Sequence, residues 1–436
     1  MLFYLEKVKS LIGRKCFFLV LLLFCQLFYF EFVINAQETE NKLVKIDSIT
    51  IKRNWRTRER IILQELGIKP GDKVSNEQLD ASISRIWNIG NFVKVKYTID
   101  TLTGNKYLLN ITAQDAVTIM PDLSFNGNRN EYTLSMGVSD NNMLGRNIDL
   151  SVSGTLGTYV RNAKINLGIP RQLLYKNMTL GGGFYIGESQ NYQYENGHKI
   201  SGIAYRQNSL NLGIGNPFND DYHYTFSPDL SLGYYSQKTD STLLEPGIRM
   251  QDNYDVKYLS VSTGESIGLI NSIRHQLNGY RVSVGLGFAI GLTNDSPGYF
   301  SLGLSAAYHK LFTKIVQVSA DFSTGFNTAK LPSQIFYLGP GHVKGINTGE
   351  RYGNSLYALN TSLNLTYINL DWFAIEQAFF INLGNACDKY FKLYSTEPLW
   401  SIGSRVRLMV PMVPWLGITF YYAYRGGNNH WFSVNF

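Results

Sequence analysis

Cysteine is nearly missing: the 436 residues hold three, at positions 16, 25 and 387. Two of them fall in the first 36 residues, which leaves Cys387 alone in the remainder. A single thiol forms no intramolecular disulfide and no cysteine-based zinc site. Charge is scarce too. Only 17% of residues are charged, where a soluble globular protein carries about 25%. The net charge of +7 is mild, and no basic run marks nucleic acid as a partner. There is no GxxxxGK[ST] stretch and no HExxH pair, so phosphate-loop and zinc-protease chemistry are excluded. The six histidines have no productive partner spacing. No enzyme activity, cofactor or metal is expected. Past residue 36 there is no run of 18 apolar residues. Any later membrane crossing must then be built from strands, because only helices and closed barrels satisfy the backbone in hydrocarbon.

The first 36 residues read as a cleaved secretory leader. Lys7, Lys9, Arg14 and Lys15 precede an apolar run from Cys16 to Phe30, and Ala36 offers a small residue at a cleavage point. The run is short for a spanning helix, which needs about 20 residues. An N-terminal anchor is the alternative.

Aromatics and glycine are plentiful: 14% of residues are Phe, Trp or Tyr, and 40 are Gly. Much of the chain after residue 116 alternates with period two. Val282, Val284, Leu286, Phe288, Ile290 and Leu292 alternate with Arg281 and small residues. Ile148, Leu150 and Val152 alternate with Asp149, Ser151 and Ser153, and Val406 and Leu408 with Arg405 and Arg407. The end of the chain repeats this, with Phe432, Val434 and Phe436 on one face. A soluble sandwich also alternates, but its outward face carries many Lys and Glu. Here the polar face is Ser, Gly, Asn and Thr with occasional Arg, which suits a wet lumen. An arginine facing lipid costs about 2–4 kcal/mol at the midplane, so Arg281, Arg405 and Arg407 are expected to face inward. The fold class expected is a transmembrane antiparallel β-barrel of about 16 strands over residues 116–436.

Ahead of it, residues 43–115 read as a small α/β domain in the order β-α-α-β-β. Ile46, Ile49 and Ile51 mark a strand. Thr57 is placed to cap a helix ending at Gly67, and Ser75 with Gln78 forms a capping box for a second. Two strands follow, turning at Thr103-Gly104-Asn105.

The stretch Leu66-Gly67-Ile68-Lys69-Pro70-Gly71-Asp72, then Leu79 to Trp87, then Gly90-Asn91-Phe92-Val93-Lys94-Val95 resembles a POTRA domain. Such domains are the periplasmic modules of the BamA/TamA-type outer-membrane assembly and translocation superfamily. The barrel carries matching motifs. Asp140 to Asn147, leading into Ile148, is similar to the superfamily's early-barrel motif. Leu338 to Ile346 resembles its Val-Arg-Gly-Phe/Tyr loop motif, at Val343, Lys344, Gly345 and Ile346. Phe380, Asn382 and Gly384 resemble its Phe-x-Asp-x-Gly wall motif. The resemblance implies that a loop at about 326–355 folds into the lumen and meets the wall there. Two departures stand out: the family's Arg is Lys344 and its Asp is Asn382. Arg with Asp makes a bidentate ionic pair, whereas Lys with Asn offers one ion–dipole hydrogen bond. Lys344 is expected to reach Asn382 and hold the loop more loosely.

The resemblance further implies an outer-membrane protein of a Gram-negative bacterium with its POTRA-like domain in the periplasm. Its partners would be outer-membrane lipids and unfolded client polypeptides, with periplasmic chaperones or lipoproteins as candidates. Client strands would pair at a seam between the first and last barrel strands, near Asp122–Gly127 and Trp431–Phe436, or pass through the lumen. Phe432, Val434 and Phe436 would form the chain's own barrel-insertion signal. A secretion pore for one partner, a passive channel and a mere anchor are the alternatives.

Overall fold

The computed structural model describes residues 43–52, 54–127, 132–174, 178–195, 198–216, 226–251, 253–273, 275–370, 372–411, 417–426 and 430–435. The expected leader and Phe436 lie outside the described residues.

The small domain follows from its local signals. Ser75 accepts from the Gln78 amide at 3.2 Å while the Gln78 side chain accepts from the Ser75 amide at 3.0 Å, which starts the helix Asn76–Asn88. Gly67, at φ 67°, ends the helix Glu59–Leu66 in the left-handed region that glycine tolerates best. Thr57 does not cap that helix. Its hydroxyl donates to Asp115 instead, and Arg58 holds the cap position without a side-chain bond. The strand Lys106–Asp115 is central. Ser48–Lys52 pairs with it in parallel and Phe92–Leu102 antiparallel. Ile62, Leu66, Leu79, Ile86, Leu109 and Ile111 fill the space between helices and sheet, all essentially inaccessible. Burying each such side chain contributes about 1.5–3 kcal/mol. The outer edges of Ser48–Lys52 and Phe92–Leu102 have no further strand beside them among the described residues.

The second unit is a closed antiparallel barrel of 16 wall strands among the described residues. It runs from Ile119–Gly127 to His430–Asn435, and those two strands pair to close it. Two-residue alternation sorts the side chains. In Gln276–Gly291, Val284, Leu286, Phe288 and Ile290 are exposed on the outside, while Ser283, Gly285, Gly287 and Ala289 face in. Phe288 meets Phe300 of the next strand on that outer face, ring centroids 5.1 Å apart. An apolar exterior around a polar interior fits a wall bathed in hydrocarbon. Successive turns lie at opposite ends, and the small domain sits against one end. Inside is a cavity of about 1150 Å³, lined by Ser151, Asn166, Ser262 and Ser283 with the acids Asp149 and Asp229.

Candidate functional site

Three features could do work: a lid inside the barrel, a short closing seam, and a clasp that fixes the small domain beneath them.

The lid is the segment between the wall strands Val316–Asn327 and Ser355–Asn369. A small hairpin, Phe336–Leu338 with Arg351–Gly353, stiffens it. Its base is held by the Asn354 amide, which donates to Ala329 O and Asn327 Oδ1, each at 2.7 Å. Leu338, Val343 and Ile346 are fully buried against Leu356 and Ala386 of the wall. Gly384 marks the closest approach. A Cβ there would lie 2.8 Å from Val343 Cγ2 and 3.2 Å from Leu338 Cδ1. Only a residue without a side chain lets the lid seat. Phe380 lies across Gly403 on the adjoining strand and packs with Ala423 and Trp431. The lid reaches other walls as well. Glu350 pairs with Arg425 at 2.5 Å, and Tyr254 donates to the Ser333 hydroxyl.

Lys344 takes a different partner from the one expected. Its ammonium lies 5.5 Å from the ring centres of both Tyr421 and Trp431, which face inward from the last two wall strands. It does not hydrogen-bond Asn382. That amide donates to Asn360 Oδ1 at 2.6 Å, and its oxygen accepts from the Ser401 hydroxyl at 3.3 Å. Gly345, at φ 86°, brings the lid tip against Trp431 and Ala423, where a Cβ would find their Cβ atoms at 3.4 and 3.5 Å. With the neutral Asn382 on that wall, no carboxylate at that position draws the cation, which lies over aromatic faces instead. Burial lowers the Lys344 pKa, and the nearby Tyr421 offsets only part of that.

The basic interior is paired. Arg405 binds Glu376 and donates to Asn364 Oδ1 at 2.9 Å, with its guanidinium 6.0 Å from the Tyr421 ring centre. Arg407 shares the same face and the same neighbours, Glu376, Arg405 and Tyr421. Arg281 shares the inward parity of Ser283 and Gly285, near the small-domain end.

At the seam the barrel is thinly joined. Ile119–Gly127 pairs with Tyr132–Met143 through nine residue pairs, but with the closing strand through four, Gly127↔Phe432 to Ser124↔Asn435. On that side Ile119 to Leu123 have no partner among the described residues. Among the described residues that edge is unpaired at the small-domain end. Phe432 points outward and is exposed, and Val434 shares its face; Trp431 and Ser433 point in and are buried.

The clasp is polar and buried. Asp115, at the end of the small domain's central strand, accepts from the Arg56 amide at 2.6 Å, the Thr57 amide at 3.1 Å and the Thr57 hydroxyl. Asn142, from the end of the barrel's first hairpin, donates to that same hydroxyl at 2.8 Å. Arg56 pairs with Asp140 at 2.6 Å, Asn91 donates to Asn147 Oδ1 at 2.7 Å, and the Arg58 amide donates to Gly145 O at 2.9 Å. The fit at Gly145 is tight: φ is 68° and a Cβ would lie 2.1 Å from Arg56 O. A second contact joins Glu65 to Arg171 through two bonds of 3.0 and 2.5 Å. A third joins Asn88 to Asn271 at 3.2 Å. Sequence reading missed these partners, which lie about one domain apart in the chain. The one local signal was the cluster Asp140 to Asn147, singled out without a role.

Comparison with known proteins follows this geometry. The family profile described as POTRA, surface antigen variable number repeat, matches residues 44–117. The Omp85 superfamily domain matches residues 142–430. A Treponema pallidum (strain Nichols) protein, provisionally named outer membrane protein assembly factor, is 24% identical over 210 residues. That match takes in 46% of this chain and 23% of the relative, so the chain matches about a quarter of the relative's length. Two solved structures share the fold. BamA from Haemophilus ducreyi lacking POTRA domains 1–3 has a TM-score of 0.55 at 13% identity, covering 90% of this chain and 84% of that one. CdiB from Escherichia coli has a TM-score of 0.54 at 12% identity, covering 92% of each.

Proposed function

The chain belongs to the Omp85 superfamily, and on that premise we propose that it inserts or translocates unfolded polypeptides at the outer membrane, client strands pairing at its own seam. The barrel lies in the outer membrane with the POTRA domain on the periplasmic side. One observation supports the finer reading: among the described residues four residue pairs join the first and last wall strands, and Ile119 to Leu123 have no partner on that side, at the end nearer the small domain. An unpaired strand edge is a template for another strand. Among the described residues, four pairs is also the smallest number joining any two neighbouring wall strands. The assembly-factor name of the Treponema relative agrees with this reading.

The lid bears on the seam because Lys344 and Gly345 rest on Trp431 of the closing strand. Movement of that strand unseats the lid tip, so lid and seam respond together. The lid's apolar packing against the wall argues against a passive channel. Passage of a client through the lumen is the second reading, favoured by the Ser- and Gly-lined cavity of about 1150 Å³.

A disulfide across the seam separates the two. Asn126→Cys with Ser433→Cys bridges a paired position. Under seam pairing, the oxidised protein loses the ability to restore outer-membrane proteins in depleted cells and regains it on reduction. Full activity of the oxidised protein would refute seam pairing and favour the lumen.

A further inference from the structure

Neither seam nor lid uses the segment Lys52 to Arg60, which holds Lys52, Arg53, Arg56, Arg58 and Arg60 against the single acid Glu59, with Trp55 among them. The net charge of the chain is mild, but five basic residues gather in this segment. Arg56 and Thr57 are spent on the clasp. Trp55 is 67% exposed, and Lys52, Arg58 and Arg60 are exposed beside it. Most of the Trp55 ring is left uncovered by the protein.

Its place on the barrel follows from register. Arg56 binds Asp140, and Asp140 lies two and four residues beyond Val138 and Met136 on one strand. Both of those are exposed on the hydrocarbon face, as is Ile119, the residue paired with Asp140. Alternation therefore puts Asp140 on the outer face at the barrel's periplasmic rim. The Arg58 amide is bonded to Gly145 of the rim turn, whose Leu144 and Arg146 are exposed. The bonds of Arg56 and Arg58 fix Trp55 beside that rim. Other periplasmic turns present their own exposed aromatics there, Phe312 and Trp372, as barrel girdles do. The turn Leu144 to Asn147 has none.

We propose that Trp55 completes the girdle at that turn, and that it forms with Lys52, Arg58, Arg60 and Arg146 an anchor for anionic phospholipid headgroups of the periplasmic leaflet. The anchor joins the small domain to the bilayer next to the seam. Basic side chains near an anionic leaflet attract its headgroups, and the neighbouring outer face is already in lipid. Glu59 is the one exposed acid in the segment and weakens the attraction without reversing it.

The test uses the full chain in vesicles of phosphatidylcholine with or without phosphatidylglycerol, containing lipids brominated near the glycerol. Subtracting the emission of Trp55→Phe isolates Trp55, and Trp372→Phe gives a girdle reference. The expected Trp55 signal is blue-shifted, loses intensity to bromolipid, and loses more when phosphatidylglycerol is present. Arg58→Gln with Arg60→Gln removes that lipid preference. A red, water-like signal indifferent to bromolipid would overturn the proposal. So would quenching that ignores phosphatidylglycerol. Shielding that appears only after adding an unfolded outer-membrane polypeptide would assign the patch to a protein partner and overturn it too.

Discussion

Glu65 and Arg171 give the sharpest test of how the POTRA domain is held. Glu65 lies on the helix Glu59–Leu66, and Arg171 on the turn after the wall strand Val160–Ile169. Their side chains are 0% and 5% exposed and meet through two bonds. Replacing Glu65 by Gln keeps the shape but leaves the Arg171 charge buried without its counter-ion. Breaking such a pair costs about 3–5 kcal/mol, chiefly through the stranded charge. At about 1.4 kcal/mol per decade, the ratio of docked to undocked protein falls by at least about 100-fold. Removing both charges with Glu65→Leu and Arg171→Met should restore most of the docking, because well-packed apolar pairs often match buried ionic ones. Spin labels at Lys73 and Phe312, in a Cys387→Ser background, report the distance between domain and barrel. Urea should separate them at a clearly lower midpoint in Glu65→Gln than in the unsubstituted protein, and the double variant should recover. An unchanged midpoint in Glu65→Gln, or a double variant worse than either single one, would refute the reasoning.

Asp115→Ala should be more damaging still, since it strands the Arg56 and Thr57 amides and the Thr57 hydroxyl, at about 1–3 kcal/mol for each unmet donor; thermal unfolding of the POTRA domain reads the loss. Gly384→Val puts a side chain where Val343 sits, so it should displace the lid and raise single-channel conductance in planar bilayers, and unchanged conductance would contradict the lid's packing. Burial lowers the Lys344 pKa in the closed state. Between that value and the ordinary lysine value the open state binds more protons, so closure strengthens as pH rises through that window. Lid opening should then fall with alkaline pH, and Lys344→Met should flatten the dependence.

Much of the fold was legible because lipid and lumen impose opposite demands on neighbouring residues. The runs Val282 to Leu292 and Ile148 to Val152 show that alternation without help from tertiary context. The capping box at Ser75 and Gln78 was equally plain, being local. Thr57 was misread because a threonine before a helix looks like a cap whatever else it bonds; its partner Asp115 is adjacent in space but far along the chain, at the end of the domain's last strand. Lys344 was legible as part of the lid but not in its partners. Which wall a lid touches depends on how the barrel curves beneath it, and no local pattern records that Tyr421 and Trp431 face it. The clasp was hidden for the same reason. Asn142 and Asn147 are ordinary turn residues until the POTRA domain arrives against them.

On the proposed reading client strands join the edge from Ile119 to Leu123, which has no partner on that side among the described residues. A photo-crosslinking residue at Leu123, compared with one at Ser283 on the lumen wall, tests it directly in cells making new outer-membrane proteins. Client pairing at the seam gives adducts to client polypeptides from Leu123 and few from Ser283. Adducts confined to Ser283 would contradict it and place the client's route inside the barrel.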